Sequence, residues 1–139
     1  SGPEKNNLIE YADSKNVKLN LLGNIDNDQL MNLYQNYYFY VTTSLYEGNP
    51  KALLEAMSSG CVVLCKKNTN TMEIIDNGFN GFYIDNEKET IQLIEEILND
   101  KNLKNKVVEN SLKTIERNYF IDKIVNEEFE IYKILTANK

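Results

Sequence analysis

Residues 46–60 read YEGNPKALLEAMSSG, and this stretch decides the fold. Glu-Gly-Asn-Pro is a turn. Asn49 is expected to cap a helix and Pro50 to take its first position, where a missing N–H does no harm. That helix is expected to stop near Gly60. Upstream, Tyr38 to Thr43 (YFYVTT) is aromatic and β-branched, which favours a strand. Downstream, Cys61 to Cys65 (CVVLC) is nearly all apolar, as a strand covered on both faces should be. Strand, helix and strand in this order make a parallel βαβ unit.

The same alternation extends outward in both directions. Val17 to Leu22 (VKLNLL) reads as a strand ending at Gly23. Asp26 offers a helix cap with Gln29 three residues on. Leu30, Leu33 and Tyr34 give that helix its apolar side. Further on, Asn70 and Glu73 are expected to open a short helix through Ile74 and Ile75, stopped by Gly78. Gly81 to Ile84 reads as a fourth strand. From Glu87 the pattern is helical, broken near Asn99-Asp100 and Asn118. Leu93, Ile94, Ile97 and Leu98 supply one buried stripe, and Phe120, Ile124, Phe129 and Tyr132 mark a last helix. The expected class is α/β, a Rossmann-like doubly wound parallel sheet with right-handed crossovers and a helical C-terminal tail. Residues 1–139 are expected to form a single domain.

Composition narrows the function. Lys and Arg number 15 against 21 Asp and Glu, a net charge of −6, so a basic nucleic-acid surface is not expected. No apolar run approaches the ~20 residues of a membrane span. Cys61 and Cys65 lie four apart on one expected strand, too far to bridge each other, and two free thiols suit a reducing cytoplasm. The chain has no His. Its chemistry is therefore left to carboxylates, lysines, hydroxyls and backbone.

In open parallel sheets ligands bind beyond the carboxyl ends of the strands, near helix N-termini. Three junctions qualify: Gly23 to Asp26, Ser44 to Lys51, and Lys66 to Thr71. The middle one holds Glu47 and Glu55. A helix N-terminus carries unpaired N–H groups and about half a positive charge, which favours phosphate. Gly48 leaves room for close backbone approach. Glu55 lies about one and a half turns into the helix, ~8 Å from its start, within reach of a ribose diol. Sugar at Glu47, diphosphate at the helix end and ribose at Glu55 together suggest a nucleotide-sugar. The spacing leaves a second reading open: Lys51 and Glu55, four apart, form an ordinary surface ion pair, and Glu47 merely favours a helix start.

SLYEGNPKALLEAMSSGCVVL closely resembles the Glu-x7-Glu signature of retaining glycosyltransferases of the GT-B fold, family 4 (glycosyl transferases group 1). LLGNIDNDQLMNLYQNYYFYVTTS and EIIDNGFNGFYI resemble the segments on either side of that signature, and the helical tail to Tyr132 has the family's shape. The resemblance implies the C-terminal, donor-binding half of the fold. By position, Glu47 would act at the donor sugar as the catalytic carboxylate. Gly48, Asn49, Ala52 and Leu53 would meet sugar and diphosphate through the backbone, Glu55 would bind the ribose, and Asn24 and Ile25 would lie near the base. It further implies transfer with retention from a UDP- or GDP-sugar to a glycan or lipid-linked acceptor, with front-face departure of the diphosphate. The nucleotide-sugar is then a substrate, and no cofactor or metal is required. The usual setting is surface-polysaccharide or lipopolysaccharide assembly, in the cytoplasm or peripheral to the inner membrane.

Several positions depart from the family pattern. Asn49 stands where many members have Phe, and Lys67-Asn68-Thr69-Asn70 lacks the glycines many relatives have. Ser1-Gly2-Pro3-Glu4 looks like the end of a turn that follows a strand. The chain is therefore expected to be N-terminally truncated, without the preceding strand, the diphosphate-neutralising Arg and Lys, or the acceptor domain, and inactive alone. Lys51 is the basic residue placed at the site, whereas Lys66 and Lys67 are read as solvated. Ser44 is read as a turn hydroxyl and Glu73 as a capping residue. Two other functions fit the same architecture: a nucleotide-binding module without catalysis, and a sugar-nucleotide epimerase.

Overall fold

A computed structural model of the chain describes residues 2–46, 48 and 50–137. The chain forms two compact units, Ser1–Leu30 and Met31–Lys139, and the division falls within a helix.

In the first unit, α1 spans Lys5–Ser14, a helix absent from the sequence expectations. Residues 17–22 do not form the expected strand: among the described residues they join no ladder. Their alternation fixes which way side chains can point, whereas a strand also needs a hydrogen-bonding neighbour. Val17 and Leu22 are each 57% exposed. Gly23 follows in a left-handed conformation, φ +68°. The Gln29 N–H donates to Asp26 Oδ1 at 2.8 Å, which is the expected cap of α2, Asn27–Asn36.

The second unit holds the sheet. Strands β1 (Phe39–Thr42), β2 (Val62–Cys65) and β3 (Phe82–Tyr83) are parallel and lie in that order. Phe39 pairs with Val62 and Thr42 with Cys65, while Leu64 pairs with Phe82. Every residue of β2 is buried, as its unbroken apolar run requires. Helices cover both faces, so the doubly wound arrangement holds on three strands rather than four. On one face Val63 and Cys65 pack with Leu53 and Met57 of α3 (Lys51–Ser58) and with Ile74 of α4 (Thr69–Ile74). On the other, Val62 and Leu64 pack with Ile97 of α5 (Glu87–Asn99) and Val107 of α6 (Lys101–Asn118). Ile115, further along α6, joins the first face, so this helix contributes to both layers.

Several boundaries differ from expectation. The cap position of α3 is Pro50, not Asn49, and helix residues begin at Lys51. The capping box of α4 is Asn68 with Thr71, two residues before the expected Asn70 and Glu73 pair. Thr71 wins because its hydroxyl, buried within the turn, accepts from the Asn68 N–H at 2.9 Å. Leu98 is 56% exposed, off the stripe that Leu93, Ile94 and Ile97 bury. The breaks near Asn99-Asp100 and Asn118 stand where expected. Asp100 ends α5 and caps α6, and α7 follows over Ile121–Ala137 as the helical tail.

Candidate active site

The carboxyl end of β1 leads into the loop that feeds α3. Thr42 lies at the end of β1, and Ser44 and Gly48 carry the chain on toward Pro50. Glu47 and Asn49, both predicted site residues, lie outside the described residues. The N–H groups of Leu53 and Leu54 reach the Pro50 carbonyl at 3.0 and 3.2 Å. Those of Lys51 and Ala52 precede the first such bond and have no intrahelical carbonyl to reach. Proline offers no side-chain acceptor, and the first turn contains no acid, only Lys51. Among the described residues of this turn, no carboxylate offsets the positive pole of the helix dipole.

Glu55 follows one turn later. Its side chain is 17% exposed, although Lys51, its partner at 3.3 Å, is 77% exposed. The ion pair that the second reading expects is thus formed, and its geometry makes it a weak one. The order is Lys before Glu, the weaker orientation on a helix, and the ammonium sits in water. The Tyr34 phenol is pushed up to about 12, first by its own burial and then by Tyr40, Glu55 and Cys61. Glu55 therefore lies close enough to this ring to oppose its ionisation. Tyr34 meets Tyr40 edge to face, with ring centroids 5.8 Å apart, so part of the tyrosine cluster is packing, as expected.

A Cβ built on Gly48 would meet nothing within 4 Å. Open space thus borders the backbone at the position expected to approach the donor. Ala52 is half-buried, and Leu53 is buried in the core with only its backbone directed to the helix end. Asn24 and Ile25 belong to the first unit, ahead of the Asp26 cap, and Ile25 is half-buried.

The remaining basic groups sort differently from expectation. Lys66 is not solvated: its ammonium donates to the Asp85 carbonyl and lies 3.8 Å from the Asp85 carboxylate, with the side chain 26% exposed. Lys67 is exposed and lies 5.6 Å from the Tyr83 ring centroid. Burial pushes the Cys65 thiol up to about 11, against the lowering effect of its Thr71 hydrogen bond, and burial raises Cys61 as well. Both thiols are free and protonated at neutral pH, which makes them packing groups rather than nucleophiles. Among the described residues, no group of three or more Cys, Asp or Glu could hold a metal ion.

Two residues that sequence reasoning assigned no function enter the site region. Asn68 donates through Nδ2 to the Ser44 carbonyl at 3.1 Å, and Asn70 to the Gly48 carbonyl at 2.7 Å. The available signal was the Asn-Thr-Asn placed immediately beyond a strand adjacent to β1.

A parallel α/β body with an open, positively charged helix end at a strand terminus defines an α/β domain of the Rossmann kind. The chain belongs to the glycosyl transferases group 1 family, whose model matches residues 1–114. It is 30% identical over 119 residues to an uncharacterized glycosyltransferase of Methanocaldococcus jannaschii, covering 84% of this chain and 30% of that protein. The structure resembles the C-terminal domain of a group 1 glycosyl transferase from Francisella tularensis, with a TM-score of 0.73 and 24% identity, covering 84% of this chain and 63% of that one. It also resembles Anabaena HepE, solved in complex with UDP-glucose, with a TM-score of 0.82 and 19% identity over 98% of this chain and 38% of that one. The fold is that of a GT-B C-terminal domain. The chain thus spans only part of the length of each of these proteins. Among the described residues, no helix is long and apolar enough to cross a membrane.

Proposed function

We propose that this chain binds the donor for a retaining glycosyltransferase, which moves a sugar from a nucleoside-diphosphate sugar to a glycan or lipid-linked acceptor. One observation carries the reading: the N-terminus of α3 has no side-chain acceptor at its cap position and no first-turn acid, while Glu55 is sheltered one turn on. Anabaena HepE, which shares the fold, was solved with UDP-glucose and supports a UDP-sugar as the donor. In this reading the diphosphate lies on the N–H groups of Lys51 and Ala52 with the Lys51 ammonium beside it. Gly48 and Asn49 flank the sugar, Glu47 accepts from its hydroxyls, and Glu55 accepts from the ribose diol. Leu53 fixes the helix end.

Transfer proceeds at one face of the anomeric carbon. The bond to the diphosphate oxygen breaks, the acceptor oxygen bonds from the same side, and the acceptor proton passes to the departing phosphate. The helix dipole and Lys51 stabilise the charge that develops on that phosphate. The donor is a substrate, and no cofactor or metal is invoked. In this reading the acceptor is held elsewhere in the enzyme, in keeping with the 30% of its archaeal relative that the chain covers, and the chain alone binds donor without turnover. We assign the parent enzyme to surface-polysaccharide assembly on the cytoplasmic side of a membrane.

Calorimetric titration with UDP-glucose, UDP, GDP and ADP tests this reading. At least one should bind, and Glu55→Gln should weaken that binding about 10- to 100-fold, the loss of a charge-assisted hydrogen bond of ~1.5–3 kcal/mol. Unchanged affinity in the variant would remove Glu55 from the site.

A further inference from the structure

Because β1 and β2 are adjacent and parallel, with Thr42 opposite Cys65, the loops that follow them emerge side by side. The β1 loop has little apolar anchorage, since Leu45 is 80% exposed and Tyr46 87% exposed. Two amides from the β2 loop reach it instead. Asn68 Oδ1 accepts from the N–H groups of Asn70 and Thr71 at 3.1 and 3.0 Å, capping α4. Its Nδ2 is left to donate to the Ser44 carbonyl. Asn70 Nδ2 donates to the Gly48 carbonyl. In sequence these two carbonyls bracket Glu47.

The choice of side chain is informative. Asp100 caps α6 with a carboxylate, accepting from Asn102 and Leu103, and the α4 cap could be made the same way. An aspartate there would have no donor for Ser44. Of the two, only the amide can cap the helix and hold the loop at once.

We infer that Asn68 and Asn70 are positioning residues that hold the backbone at Ser44 and at Gly48 in its donor-binding shape before the donor arrives. This rests on the donor reading above. Without the two bonds the loop would occupy other conformations, and apparent affinity falls by the fraction of molecules that remain competent.

The test uses Asn70→Ala and Asn68→Asp, the latter keeping the cap acceptor while removing the donor. By hydrogen exchange, amides of residues 44–48 should exchange about five- to ten-fold faster in each variant, with β2 unchanged. UDP-glucose affinity should fall by a similar factor. In the full-length transferase the donor KM should rise with kcat unchanged at saturating donor, a split that general destabilisation would not produce. Unaltered exchange in both variants overturns the brace. Faster exchange with unchanged affinity and KM overturns the positioning role. If the unsubstituted chain binds none of the four nucleotides, the donor reading falls and takes the positioning role with it, while exchange still reports on the brace.

Discussion

Two helices, α3 and α5, begin just beyond strand ends of the same sheet, yet their N-termini are built in opposite ways. In α5, Asn86 Oδ1 accepts from the Glu89 N–H at 3.0 Å, and Glu87 and Glu89 both lie in the first turn. Cap and acids together quench the positive end. In α3 the cap position is Pro50, the first turn has no acid, and Lys51 adds a positive charge. Doubly wound folds generate a helix N-terminus after each strand. Capping and charge decide which of them can receive an anion, and here α3 is the one left open.

The sharpest way to break the comparison is to loosen each helix in turn. Met57 in α3 is 0% exposed and Ile97 in α5 is 1% exposed. Met57→Ala and Ile97→Ala should each lower stability by about 2–5 kcal/mol in urea unfolding. Under conditions where both variants stay folded, only Met57→Ala should also weaken donor binding. Equal loss of affinity in the two would mean that α3 has no special role.

Giving α3 the first-turn charge of α5 comes next. Lys51→Glu should reduce donor affinity about ten-fold, because an ammonium near the diphosphate becomes a carboxylate. Measured stability should move by no more than about 0.5 kcal/mol. Opening α5 is the converse. Asn86→Ala should cost about 1 kcal/mol of stability and leave donor affinity unchanged, since Glu87 and Glu89 still repel an anion.

The smallest effect concerns Tyr34. Its pKa is about 12 in the folded chain against 10.0 in the unfolded one. The stability this contributes is complete below pH 10 and is lost as pH rises toward about 12. Tyr34→Phe should therefore flatten this part of the alkaline unfolding profile. Glu55→Gln should lower the phenol pKa measured by absorbance; an unmoved value would place the carboxylate away from the ring.

The βαβ unit was legible because each part has its own local signal: the aromatic and β-branched run of β1, the spacing of Leu53, Ala56 and Met57, and the apolar run of β2. Caps were legible where one short polar residue precedes a periodic segment, as at Asp26. At α4 three candidates crowd together: the spacing to Glu73 favours Asn70, whereas the Thr71 hydroxyl fixes Asn68. VKLNLL misled because its alternation reports side-chain direction and not the presence of a neighbouring strand. Helix α1 escaped because its apolar residues are sparse; only Ala12 is buried. In the proposed site, the spacing of Glu47 and Glu55 is a local pattern, whereas the Asn68 and Asn70 bonds join backbone carbonyls 24 and 22 residues away. No local pattern records such pairs.

Asp100 ends α5 through its N–H to the Glu96 carbonyl and begins α6 through its carboxylate, so no linker residue separates the two helices. A residue inserted at this elbow would find no linker to absorb it and would displace α6 relative to α5. Val107, Ser111 and Ile115, which face inward on α6, would then swing away from the sheet and from α3, against which α6 packs. The joint thus makes the packing of α3 sensitive to chain length some fifty residues from Lys51. Among homologues, length variation should collect in surface loops such as Asn16–Lys18 and avoid Asn99–Lys101.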